Sequence, residues 1–305
     1  MNPSQDDTRM RYPTRTVTAL LIAAAPLAAQ GAAADPEIYL LRLSVANGRV
    51  SVDSPTNITM RKGYDNQPSF TPNGRSLYFT STHEDAQADI YRYDLTTKKT
   101  DRITTTAPES EYSATVVPGG NRISVIRVEK DSTQRLWSFT LSGKDPQIVL
   151  TDIKPVGYHT WIDSTHLALF VLGQPNSLVL ANTRTGKSEV VAHDVGRSLL
   201  PVPGDEGFSY LAHVGKDWVF TEVMLSGNHD HVSYIKPVVT LPAGMDYVAR
   251  VAGGLIGGTG SKLYTWREGG QWTEIADFAS AGLTKISRIA VSPTGTLLAI
   301  VAEPH

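Results

Sequence analysis

The chain contains no cysteine. Disulfide frameworks, thiolate nucleophiles and cysteine-ligated zinc are therefore excluded. An excess of charge is lacking too: 28 Lys and Arg stand against 30 Asp and Glu, for a net charge of −2. So balanced a surface gives no electrostatic reason to expect nucleic acid or an anionic membrane as partner. No apolar run reaches the roughly 20 residues that cross a bilayer; the stretch at residues 19–29 is too short. A G-x-S-x-G elbow is missing, and with it the hydrolase way of presenting a nucleophilic serine. The glycine-rich GGLIGGTG at residues 253–260 lacks the Lys-Ser/Thr ending of a phosphate loop. It reads instead as a turn followed by a glycine-weakened strand.

What the chain has is a repeat. SFTPNGRSLYFT at residues 69–80 returns in degenerate form as TVVPGGNRISVI at 115–126 and AVSPTGTLLAIV at 290–301. Weaker copies are WIDSTHLALF at 161–170, VPGDEGFSYL at 202–211 and VAGGLI at 251–256. Each copy is a short apolar strand, a Pro/Asp/Gly turn and an alternating strand. The turn markers Pro72, Pro118, Asp163, Pro203, Gly253 and Pro293 are separated by 46, 45, 40, 50 and 40 residues. A period of roughly 40–50 residues with several strands per period is the signature of a β-propeller.

The first unit shows four strands, at residues 69–71, 76–81, 89–95 and 100–105, and the next four units follow it. The sixth offers only two, at 289–292 and 297–302, before His305. Its missing pair is found at the other end, at residues 37–43 and 49–53. A ring of sheets has to bury both terminal edges, because an open edge invites aggregation; sharing one blade between the termini does so. The sequence thus predicts an all-β, six-bladed propeller over residues 35–305, its last blade closed by N-terminal strands. Ahead of it, Arg9, Arg11 and Arg15 precede the apolar run, and Ala32-x-Ala34 suits signal peptidase. Residues 1–34 therefore read as a signal peptide, with a periplasmic or secreted mature protein and no membrane insertion after its removal.

NQPSFTPNG at residues 66–74, with DIYRYD at 89–94, resembles the repeat of the TolB-like propellers, relatives of the WD-repeat type. The motif-level match covers residues 64–106 and the pattern-level match residues 35–305. The α/β domain that precedes the propeller in TolB has no counterpart here, so the resemblance implies the propeller alone.

Propeller topology gathers the loops entering each inner strand at one mouth of the central channel. Aligning the units on their turn markers brings Gln67, Tyr112, Tyr158, His159, Arg197, Tyr247 and Arg288 there as ligand-binding candidates. Loops joining second to third strands add His83, Glu84, Asp85, Lys130, Asp131, Gln174 and Lys216. Amide, aromatic and charged groups over a funnel suit hydrogen bonding and stacking on a polar ligand, although loop entrances are polar in any protein. His83, His159, His193 and His213 fall near this mouth, where three imidazoles and Gln67 could bind a divalent metal. Pectate-degrading lyases with TolB-like propellers use a His/Gln constellation of this kind, so the resemblance leaves a metal-dependent carbohydrate-active lyase or hydrolase as the alternative. His229 and His231 of GNHDH fall at the opposite mouth and read as a solvated loop. The reading adopted is an exported, monomeric binding module with no catalytic residues, metal or cofactor. Its ligand would be a periplasmic or extracellular protein segment or a polar small molecule.

Overall fold

Within each repeat the second strand sends alternate side chains to opposite neighbours, as a period of two requires. The computed structural model describes residues 35–82, 87–204 and 206–304. In it, Leu77 and Phe79 of strand Ser76–Thr82 pack toward one adjoining sheet and Tyr78 toward the other. Ile123 and Val125 of Arg122–Val128 face backward in the same way, and Ile126 faces forward. A strand buried on both faces needs a sheet on each side. A closed ring of sheets meets that need for every blade at once.

Blade one is Asp65–Phe70, Ser76–Thr82, Ala88–Asp94 and Thr100–Arg102, an antiparallel meander in that order from the channel outward. Blade two runs from inner strand Ser110–Val116 to outer strand Gln147–Ile148, and blade three from Val156–Trp161 to Ser188–His193. Blade four runs from Leu200–Pro201 to Val232–Thr240, and blade five from Val248–Val251 to Thr273–Asp277. Blade six takes Leu283–Val291 and Leu297–Pro304 from the C-terminal region and completes itself with Glu37–Ala46. The pairing runs from Glu37 opposite Ala302 to Arg42 opposite Leu297. The outermost position is split: Arg49–Val52 covers one half of Glu37–Ala46, and the two-residue strand Thr56–Asn57 covers the other. The closure expected from the sequence is therefore present.

Among the described residues the core falls into six clusters, one at each blade–blade junction. Ile38, Ala299 and Val301 of blade six meet Leu77, Phe79 and Tyr91 of blade one, for example. The glycine-rich second strand of blade five, Gly254–Thr259, has a packing reason. A Cβ on Gly257 would lie 2.3 Å from the sulfur of Met245, and one on Gly258 2.5 Å from Ile286 Cγ2. Neighbouring blades approach too closely there for any side chain. No helix among the described residues is long and apolar enough to cross a membrane.

Junctions also carry buried charge. Glu111 of blade two is fully buried, accepts a hydrogen bond from Thr106 and lies 3.2 Å from Arg127 Nε. Burial pushes its carboxyl up to about 7, against the opposing pull of Thr106, Thr104 and Arg127. A folded-state value above the unfolded one favours the fold below about pH 4.5 and withdraws that contribution as pH rises through about 7. The shift corresponds to roughly 3 kcal/mol at most. Glu111→Gln should therefore melt with wild type at pH 4.5 and several degrees above it at pH 8. Parallel melting curves at both pH values would refute the assignment.

Candidate functional site

Four of the six inner strands are interrupted by a bulge on the approach to the channel mouth. The register slips between Asn66 and Ser69, Tyr112 and Thr115, Val156 and Tyr158, and Thr284 and Arg288. A bulge adds a residue to one strand and re-aims the side chains beside it. Gln67 and Ser113 occupy the added position with left-handed backbones, φ 58° and 54°. Gln67 is thereby turned across the junction of blades one and two. Its Oε1 accepts from Ser113 N and from Thr80 Oγ1, both at 2.8 Å.

Inside the ring lies a cavity of about 580 Å³ to which every blade contributes. Gln67, Ser113, Tyr158, Arg197, Tyr247 and Arg288 enter it from blades one to six in order. Phe70, Leu199, Leu200, Val248, Ile289 and Val291 make its deeper wall apolar. No Asp or Glu is among the lining residues.

Of the three arginines lining this cavity, Arg250 is paired with Glu222 at 2.9 Å, whereas aromatic rings hold Arg288. The Arg288 guanidinium sits 4.9 Å from the Tyr158 ring centroid and 4.1 Å from that of Tyr247, and donates to Tyr158 Oη at 2.9 Å. Cation–π contact and a neutral acceptor fix its direction without cancelling its charge. Neither Arg197 nor Arg288 forms an ion pair with a carboxylate among the described residues. Burial acts to raise the Tyr158 phenol, but Arg288 and then Arg197 outweigh it and hold the phenol below its usual value. Tyr247 is shifted upward by burial. Tyr64 is pushed up to about 12 by burial, although Arg288 and Arg197 pull against it. Tyr64 was not among the sequence candidates, because it stands in the connection before the blade-one strand, outside the repeat pattern.

Six of the seven candidates line this cavity: Gln67, Tyr158, His159, Arg197, Tyr247 and Arg288. Tyr112 does not. It precedes the bulge residue, and its ring packs into the junction of blades two and three beside Ile126 and Val156. Ser113 takes the channel position instead. His159 is 8% exposed; its Nε2 lies 2.7 Å from Ser124 Oγ, and its Nδ1 has no hydrogen-bond partner among the described residues. Burial alone drives its pKa down to about 3, so the ring is neutral at physiological pH. His193 pairs with Ser177, and His213 with Asp194 while resting on Trp218. Neither lines the cavity. Lys130, Asp131, Gln174 and Lys216 are exposed outside it. His83, Glu84 and Asp85, like residues 1–34, lie outside the described residues.

At the opposite face the GNHDH loop differs from its sequence reading. His231 is exposed, as a solvated loop requires, but His229 turns inward and places Nδ1 2.7 Å from Asp163 Oδ2 of blade three.

The fold is that of a TolB-like six-bladed β-propeller. The chain is similar to a putative TolB from Agrobacterium tumefaciens with a TM-score of 0.64 at 14% identity, over 89% of this chain and 99% of that one. It is similar to TolB from Acinetobacter baumannii with a TM-score of 0.50 at 12% identity, over 89% of this chain and 65% of that one. An oligogalacturonate lyase from Vibrio parahaemolyticus matches with a TM-score of 0.55 at 11% identity, over 87% and 86% of the two chains. Neither a family model nor a curated protein matches the sequence.

Proposed function

We propose that this protein is an exported, non-catalytic binding module whose central cavity receives a carboxylate-bearing polar ligand. One observation carries the reading: Arg197 and Arg288 face a cavity of about 580 Å³ whose lining includes no carboxylate. A partly buried Arg288 and a more exposed Arg197, neither ion-paired to a carboxylate among the described residues, make an anion the ligand these cations best accommodate. Tyr158 and Tyr247 add flat faces, and Gln67 an amide, for hydrogen bonding and stacking around that anion. His159 contributes a neutral ring and not a second charge.

Two ligand sources share this chemistry. One is an acidic segment of another exported protein. The other is an acidic oligosaccharide, the substrate class named for the lyase that shares the fold. Titration of a Glu-rich peptide and of an oligogalacturonate, each beside its uncharged amide or neutral-sugar analogue, separates them. The charged member of one pair should bind at least tenfold more tightly, with affinity falling as salt rises. Equal affinity for both members of both pairs would sink the reading, and cleavage of the oligosaccharide would identify an enzyme instead.

Export belongs to the same reading. Arg9, Arg11, Arg15, the apolar residues 19–29 and Ala32-x-Ala34 supply the three parts of a signal peptide. N-terminal sequencing of protein from the cell envelope should begin between Ala32 and Asp35. Recovery of an intact Met1 or Met10 from the cytosol would refute it.

A further inference from the structure

Asp163, His166 and His229 converge at the face opposite the cavity mouth, where blade three meets blade four. Asp163 and His166 belong to the turn before and the start of His166–Val171, and His229 to the loop between Asp217–Leu225 and Val232–Thr240. Their ligand atoms all lie within 4.8 Å of one another. Asp163 Oδ1 is saturated locally by the backbone N–H groups of Thr165 and His166, at 2.6 and 2.8 Å. That leaves Oδ2 to face two imidazoles: His166 Nδ1 at 2.8 Å and His229 Nδ1 at 2.7 Å. The two rings stand edge to face, at 84°.

The far side of His166 is equally well defined. Its ring is only 6% exposed, and its Nε2 lies 3.1 Å from Asp230 Oδ1 and 2.9 Å from Asn182 Nδ2. Asn182 Nδ2 also donates to Asp230 Oδ1 at 2.9 Å. Donor and acceptor accounting then constrains the cluster. If neutral His166 gives its one proton to Asp163, its Nε2 lone pair faces the Asp230 carboxylate oxygen. If it gives that proton to Asp230, its Nδ1 lone pair faces Asp163 Oδ2. In either arrangement one unprotonated His166 nitrogen stands near 3 Å from a carboxylate oxygen, with Asn182 Nδ2 at 2.9 Å from Nε2 or the Thr165 hydroxyl at 3.1 Å from Nδ1 as its donor. A cation among Nδ1 of His166, Nδ1 of His229 and Oδ2 of Asp163 is one arrangement that removes this lone-pair repulsion and engages both imidazoles at once. Both Nδ1 lone pairs then have an acceptor of electrons, and His166 Nε2–H donates to Asp230.

We infer that Asp163, His166 and His229 form a binding site for a zinc-class divalent cation that ties blade four to blade three. A carboxylate fixing the outer nitrogen of a ligating histidine, as Asp230 does here, is the usual support of such sites. Two imidazoles with one carboxylate select Zn²⁺, Co²⁺ or Ni²⁺ over Mg²⁺ and Ca²⁺, which take oxygen ligands. Ligand atoms around tetrahedral zinc sit about 3.3 Å apart, so the two nitrogen–oxygen distances of 2.8 and 2.7 Å lengthen by roughly half an ångström on binding. The remaining coordination position opens toward a cavity of about 270 Å³ lined in part by His231, Glu189 and Lys187. None of these residues lines the central cavity, so the site stands or falls apart from the proposed function.

Titration calorimetry of chelator-treated, untagged protein with ZnCl₂ should show one equivalent bound at micromolar concentration or tighter. CoCl₂ should give the visible bands of a low-coordinate cobalt site, while MgCl₂ and CaCl₂ give no heat. His229→Ala, on an exposed loop, should keep the fold and weaken zinc at least a hundredfold. His231→Ala should weaken it no more than a few-fold. Absence of zinc binding, equal binding of Ca²⁺, or full affinity in a folded His229→Ala protein would each overturn the site.

Discussion

A chain that begins at residue 54 is expected to lose cooperative folding. The strand Glu37–Ala46 buries Ile38, Leu41 and Leu43 almost completely and Tyr39 to 7% exposure. Four such side chains are worth about 1.5–3 kcal/mol each, which together rivals the roughly 5–15 kcal/mol that stabilises a typical domain. Deletion also strips Leu297–Pro304 of its partner along the stretch Leu297 to Ala302. The junction clusters of blade six with blades one and five then lose part of their membership together. Circular dichroism should show a broad transition far below that of the whole chain, and gel filtration should show aggregation through the open edge. A synthetic peptide of residues 35–53 should restore a sharp transition by strand addition. An unchanged melting temperature in the deletion would mean that the ring does not depend on its shared blade.

That closure was legible in the sequence because it is a counting problem. Five units supplied four strands, the sixth supplied two, and residues 37–53 held an unclaimed pair. Strand positions were legible for the same reason that the junction cores exist. Leu77, Tyr78 and Phe79 are all apolar because the second strand is buried on both faces, and proline and glycine at the turns mark where each unit restarts. Even the glycine-rich second strand of blade five was placed, although only the structure gives the cause, the close approach of Met245 and Ile286.

The candidate site was legible only to within one residue. Aligning units on their turn markers treats every inner strand as regular, whereas bulges insert one residue into three of them and two into that of blade six. At blade two this offset separates Tyr112, which packs between blades, from Ser113, which enters the cavity. Residue types mark such a bulge only in blade three, where Gly157 stands between Val156 and Tyr158; in blades one and two the left-handed residue is Gln67 and Ser113, and not glycine. Convergence across blades was hidden more deeply. His229 and Asp163 are 66 positions apart and meet only through the stacking of blades three and four. A periodic reading shows which loops share a face, but not which side chains bend toward a neighbouring blade.

Replacing both Arg197 and Arg288 with Gln is expected to abolish ligand capture while leaving the propeller folded. Charge-assisted hydrogen bonds contribute about 1.5–3 kcal/mol each, so loss of both should weaken an anionic ligand by roughly 100-fold or more. Arg288→Gln alone should cost more than Arg197→Gln. Arg288 is the cation clamped between the rings of Tyr158 and Tyr247, so its direction is fixed before any ligand arrives. Arg288→Lys keeps the charge but loses the planar stack and the fixed fork, and should recover only part of the affinity. Stability should move little, because the cation–π contacts given up are worth about 0.5–2 kcal/mol and a partly buried charge is removed with them. The salt dependence is the sharper readout: affinity in the double variant should become nearly insensitive to ionic strength. His231→Ala, at the opposite face, serves as the control and should bind as wild type does. Wild-type affinity in the folded double variant would show that the ligand is held elsewhere than in the central cavity.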